Sequence, residues 1–173
     1  MITIRTAVPS DAARLLEIYS YYVEKTAVSF DYDVPTAEGF EGRIRRTLEK
    51  YPYLVAERDG RAVGYAYAGA FVGRAAYECS AELSIYLDKD ERRNGAGRML
   101  YEALEAALAE MGITNLYACI GVPPEAEDEY LNFDSMHFHE HMGFTLAGRF
   151  RKCGSKFGRR YDMIWMEKLI DVK

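Results

Sequence analysis

Residues 85 to 112 limit the fold of this chain more than any other segment. Ile85-Tyr86-Leu87-Asp88 is apolar and suited to a strand. Arg92-Arg93-Asn94-Gly95-Ala96-Gly97-Arg98 is a short loop bearing two glycines. Met99, Leu100, Ala103, Leu104, Ala107 and Leu108 then recur on one face of a helix running from Gly95 to Met111, with Gly112 as its stop. A strand that feeds a helix through a tight loop is a βα unit, and the helix must bury its apolar face on a sheet. A second constraint comes from Asp59-Gly60, a two-residue hairpin signal between Tyr53 to Glu57 and Arg61 to Phe71. One sheet therefore has to hold antiparallel pairs and a βα crossover together.

The remaining segments fit that frame. Ile2 to Arg5 alternates as a strand. Ser10-Asp11 starts a helix carrying Leu15, Ile18, Tyr19 and Tyr22, and Thr36 caps a second one running to about Lys50. Ser80 to Leu87 and Ile113 to Ile120 predict strands. Ser135 to Met142 predicts a short helix stopped by Gly143, and Phe144 to Phe150 with Tyr161 to Glu167 predict a last pair of strands. The order β-α-α-β-β-β-α-β-α-β-β predicts an α/β chain with a mixed, mostly antiparallel sheet flanked by helices, as one domain over residues 1–173. Twenty-two basic against 27 acidic residues leave a net charge of −5, which provides no general basic face for nucleic acid. No apolar run approaches the ~18–20 residues of a membrane span, and Met1-Ile2-Thr3-Ile4-Arg5 is not a signal peptide. Cys79, Cys119 and Cys153 are too few and too scattered for a disulfide framework or a zinc knuckle. A cytoplasmic location is the expectation.

The loop before the long helix has the chemistry of a diphosphate cradle. Gly95 and Gly97 let the backbone approach a ligand, the first helical N–H groups have no internal partner, and Arg92, Arg93 and Arg98 add positive charge. A plain βα turn with glycines for packing fits the same residues. Leu100 occupies the third glycine position of a dinucleotide fingerprint, and no Gly-Lys-Ser/Thr follows for a P-loop.

Arg92-x-x-Gly95-x-Gly97 between a strand and a long helix resembles the signature of the GNAT superfamily of acyl-CoA N-acyltransferases. The resemblance runs from Ile4-Arg5-Thr6-Ala7 to His139-Glu140-His141-Met142-Gly143-Phe144. Within the superfamily it is strongest to phosphinothricin acetyltransferase-like proteins, through Val28-Ser29-Phe30-Asp31, Arg74-Ala75-Ala76-Tyr77, Ala81-Glu82-Leu83-Ser84-Ile85-Tyr86-Leu87, Ile120-Gly121-Val122-Pro123 and Ser135-x-x-x-His139-Glu140. Val72 departs from the pattern, where the family commonly carries a lysine.

The resemblance implies an acetyl-CoA-dependent enzyme acting on the amine of a small amino-acid-like molecule by direct transfer in a ternary complex. The backbone of residues 93 to 98, Ala96 included, would hold the CoA diphosphate. Ile85, Tyr86 and Leu87 would part from the next strand and pair with pantetheine, and Asn132 and Ser135 would also touch the cofactor. Glu82 would be the general base, and His139 would face the departing sulfur as acid. Phe30, Arg74 and Tyr77 would line the acceptor side, and a homodimer would be the assembly. Alternatives are a polyamine or protein N-terminus as acceptor, or an acyl-CoA-binding module without catalysis. From the residues alone, Glu82 is equally an exposed or salt-bridged strand glutamate, and Arg74 a solvated loop cation. His137, His139 and His141 invite a metal reading. However, only the first and last share a helical face and no third ligand is evident, so no metal is expected. The acidic stretch Glu125 to Asn132 reads as solvated surface or as a lure for cationic amines.

Overall fold

The computed structural model describes residues 1–91 and 93–171. Seven strands form one sheet in the order β1-β2-β3-β4-β5-β7-β6. They are β1 Ile2–Thr6, β2 Tyr53–Arg58, β3 Arg61–Ala70, β4 Ser80–Leu87, β5 Asn115–Val122, β6 Thr145–Lys156 and β7 Arg159–Leu169. Every pair is antiparallel except β4–β5, which α3 connects. The α/β fold with a mixed sheet is thus as expected.

The sheet is apolar on both faces because two pairs of helices cover it. On one face α1 (Ala12–Lys25) and α2 (Ala37–Leu48) bury Leu15, Ile18, Val23, Phe40 and Ile44 against Tyr53, Val55 and Tyr65. On the other, α3 (Ala96–Glu110) sinks Leu100, Tyr101, Leu104 and Leu108 into a core with Leu83, Leu116, Ile120, Ile164 and Met166. The short α4 (Asp134–His141) joins this second core through Phe133, Met136 and Phe138. Thr36 caps α2 by accepting from the Gly39 N–H at 3.0 Å, and Gly112 and Gly143 follow α3 and α4 at φ +79° and +88°. Asp11 behaves differently from a simple cap. Its carboxylate pairs with Arg5 at 2.8 Å and takes the Val8 N–H, so it ties the end of β1 to a 3₁₀ turn that precedes α1.

The last hairpin is longer than expected. Residues 151–160, read above as a connection, extend the two strands and leave only Phe157-Gly158 as the turn, at φ +52° and +70°. Phenylalanine is an unusual first residue for such a turn, and this hid how far the two strands extend. β6 also skips register between Phe150 and Gly154. The buried Asp162 holds that bulge, accepting from the Lys152 N–H at 2.6 Å and from Arg149 Nε at 2.7 Å.

Candidate active site

Along the sheet, β4 and β5 behave as a V. Their parallel pairing runs only from Ser80↔Asn115 to Glu82↔Tyr117, although β4 continues to Leu87 and β5 to Val122. Each strand is held along its length by its outer neighbour, β4 by β3 and β5 by β7. The two half-sheets twist apart where nothing joins them.

Backbone direction alternates along a strand, so two bonds fix which groups line the V. The Asn115 N–H donates to the Cys79 carbonyl, towards β5, and the Asp88 N–H donates to the Val63 carbonyl, towards β3. Odd-numbered β4 residues therefore aim their amides into the gap. Ile85 presents an N–H and a C=O there without a strand partner, while the Leu87 carbonyl accepts from the Tyr22 hydroxyl at 2.6 Å. Tyr86 does not belong with them. Its backbone faces β3 and its ring packs among Tyr19, Tyr22 and Tyr65. Sequence alone could not choose the parity.

The N-terminus of α3 stands at the open end of the V. Asp88, bonded to Arg14, starts the loop, and Arg58 pairs with Glu91 at 2.8 Å. Arg93 and Gly95 take left-handed conformations, at φ +56° and +87°. The Asn94 side chain accepts from the Ala96 N–H at 3.0 Å, which engages both of them locally. The Gly97 and Arg98 N–H groups remain without a partner among the described residues, at the positive end of the helix. Gly97 is needed for closeness, since a Cβ there would lie 3.1 Å from the Phe138 ring and 3.4 Å from Leu87. The Arg98 guanidinium lies 3.7 Å from Glu102. Arg92 lies outside the described residues.

Glu82 sits at the apex of the V, opposite Gly69 on β3 and Tyr117 on β5. Its side chain shares the α1–α2 face with Ser84 and Tyr86. It has no ion pair or hydrogen bond among the described residues, and burial holds its carboxyl above the usual range. A half-buried carboxylate without a counter-ion is primed to accept a proton.

His139 does not sit as the resemblance implies. It is 3% exposed, its Nδ1–H donates to the Ser135 carbonyl at 2.6 Å, and its Nε2 lies 2.8 Å from the Tyr101 hydroxyl. A carbonyl only accepts, so the proton is on Nδ1 and Tyr101 donates to Nε2. Burial lowers its pKa to about 4. With both nitrogens engaged and the ring neutral, it has no proton to offer a leaving thiol at neutral pH. Asn132 exchanges hydrogen bonds with Asp134 at 3.0 Å each way, turning the chain into α4. Ser135 supplies the carbonyl for His139. His137 and His141 are exposed. Among the described residues no three His, Cys, Asp or Glu side chains cluster as a metal site.

On the acceptor side, the Phe30 ring lies where side chains at Gly121 or Gly154 would stand, 3.3 Å and 2.8 Å from their ideal Cβ positions. Lys156, which sequence reasoning missed, fixes its loop. The buried ammonium donates to the carbonyls of Val23, Thr26 and Ser29 at 2.6, 2.8 and 2.6 Å. A lysine at the end of a strand gives no sign of that role. Arg74 and Tyr77 lie within an exposed stretch, residues 72–79, and the Tyr77 ring meets Phe71, which stacks on Tyr117, the β5 partner of Glu82. Cys119, on the Glu82 face of β5, reaches the surface, and the protein around it pushes its thiol up to about 11. No helix among the described residues is long and apolar enough to cross a membrane.

The Acetyltransferase (GNAT) domain family matches residues 4–165. The chain is 32% identical over 162 residues to the phosphinothricin N-acetyltransferase of Streptomyces viridochromogenes, covering 94% of this chain and 84% of that protein. It is 31% identical to the L-amino acid N-acyltransferase MnaT of Escherichia coli, covering 99% and 96%. A phosphinothricin acetyltransferase from Sinorhizobium meliloti, solved with AcCoA, superposes with a TM-score of 0.89 at 31% identity, covering 98% and 88%.

Proposed function

This chain belongs to the GNAT acetyltransferase family, and from that premise we propose that it moves the acetyl group of acetyl-CoA to the primary amine of a small amino-acid-like acceptor. The observation that carries this reading is the V between β4 and β5, with Glu82 at its apex and free helix amides at its mouth. Residues 83 to 87 rise roughly 3.3 Å each, so apex and mouth are about 16 Å apart. That span suits an extended pantetheine arm between a diphosphate and a thioester. The Gly97 and Arg98 amides would hold the diphosphate, and the Ile85 main chain would pair with the arm. Acetyl-CoA supplies an activated acyl carbon on a thiol leaving group.

The chain's own work is then to orient the amine and remove its proton. An α-amino group, with a pKa near 7.7–8, is mostly charged at neutral pH. Glu82 is placed to take that proton, directly or through one water. A thiol with a pKa near ~8.5 departs as thiolate without an acid, which accords with the buried, neutral His139. We extend the proposal to a homodimer, supported by Leu146 and Phe150 standing 60% and 54% exposed on the edge strand β6, and to a cytoplasmic location. The test is thiol release from acetyl-CoA across amino acids, amines and peptides. Glu82→Gln should lower kcat roughly 10²- to 10⁴-fold with acetyl-CoA affinity retained. Unchanged turnover would remove Glu82 from the mechanism.

A further inference from the structure

The helices do not cover the whole face of the sheet that carries Glu82. The core beneath α1 and α2 takes residues from β2, β3 and β4 and, among the described residues, none from β5 or β7. On those two strands Leu116, Ala118, Ile120, Ile164 and Met166 turn to the α3 core, so Tyr117, Cys119, Gly121, Met163 and Trp165 face the Glu82 side. Cys119 is exposed there although β5 lies inside the sheet. Two aromatic posts bound this uncovered strip. At one end the Phe71 ring stacks on Tyr117, centroids 4.0 Å apart, and meets Trp165 edge-on at 5.4 Å. At the other the Phe30 ring lies 3.3 Å from the place of a Gly121 side chain. Tyr117 and Gly121 are four residues apart, about 13 Å along the strand. On β5 only the Cys119 side chain stands between them, and its β7 partner Trp165 and the Gly121 partner Met163 lie alongside.

This trough begins at the proposed base. Tyr117 is the β5 partner of Glu82 and Gly69 its β3 partner, and a side chain at Gly69 would meet nothing within 4 Å. An amine that gives its proton to Glu82 therefore has room beside it, and the rest of a small molecule can lie along the strip toward Phe30. We propose that the trough takes the acceptor's side chain and selects one that is apolar and uncharged over acidic side chains of the same length. The proposal rests on the N-acetyltransferase reading and deepens it. Floor and posts are aromatic, thioether or thiol side chains and include no cation. The carboxylates flanking Tyr117, Glu82 on β4 and Glu167 on β7, repel an anion. A carboxylate or phosphinate lying in the trough would give up water without gaining a partner, whereas an apolar chain gains by leaving water.

The test sets L-methionine against L-glutamate and phosphinothricin, whose side chains are of similar length but anionic. The intact enzyme should favour L-methionine in kcat/KM by roughly 10-fold or more. Cys119→Lys puts a cation on the floor, and the ratio of L-methionine to L-glutamate should then fall roughly 10-fold, with the KM for acetyl-CoA unchanged. Should that variant not fold, Trp165→Ala decides, and it should lower kcat/KM for L-methionine more than for L-glutamate. Equal or better use of the acids by the intact enzyme would overturn the trough, as would an unchanged ratio in the deciding variant. A Trp165→Ala chain that loses self-association while its ratio holds gives this face to a second copy and overturns it too. If no amine is turned over, the enzyme reading fails, and calorimetric titration of L-methionine and L-glutamate in the presence of CoA still decides the trough. Tighter binding of L-methionine that Cys119→Lys reverses supports it, and equal or absent binding of the two overturns it.

Discussion

Glu82 and His139 are both withdrawn from water, and burial moves their titrations in opposite directions. For Glu82 the carboxyl is raised, so the base form is lost as pH falls through a value above 4.5. kcat/KM for the amine should show an acid limb there, and Glu82→Gln should abolish that limb together with most of the rate. An identical limb in the variant would assign it elsewhere. His139 is lowered from 6.5 to about 4. Between these values the unfolded chain binds the proton and the folded chain does not, so stability present above pH 6.5 is lost as pH falls toward 4. The shift corresponds to about 3 kcal/mol. Urea unfolding of His139→Phe should show a flatter decline over that window, and an equal slope would contradict the burial argument. Glu82 was legible as a lone charge in an apolar strand, and His139 as the odd member of three histidines. Its partner Tyr101 lies on another helix, out of reach of local pattern.

At the scale of elements, helices and caps were readable because each has a local cause: Thr36 before α2, Gly112 after α3 and the Asp59-Gly60 turn all sit as expected. The strand expected at 113–120 begins at Asn115 instead, because Ile113 is drawn into the buried turn that closes α3. The Lys156 staple spans more than a hundred residues and has no local signature. Lys156→Met would strand three carbonyls, each costing about 1–3 kcal/mol if unsatisfied. We expect a loss of about 3 kcal/mol or more in urea unfolding, and faster hydrogen exchange at residues 27–30. The amine KM should rise through Phe30 more than the acetyl-CoA KM does. Unaltered exchange at those residues would show that the staple does not order the loop.

Across the whole molecule, the sheet is two half-sheets, β1-β2-β3-β4 and β5-β7-β6, joined where β4 meets β5 near Glu82. Mixed pairing and helices on both faces followed from element order. The V did not follow from local pattern, because it arises from competition between neighbours: β3 and β7 hold β4 and β5 more extensively than these hold each other. The family resemblance anticipated it, and the register displays its cause. Free main-chain groups lining a cleft must be satisfied by water or by a ligand, and the account holds that the ligand is a nucleotide thioester. Calorimetric titration of acetyl-CoA into the intact chain tests this most directly. We expect one binding event per chain, lost in Gly97→Asp through the Phe138 clash and the added negative charge. An intact chain that gives no binding, or a Gly97→Asp chain that binds equally well, would contradict it.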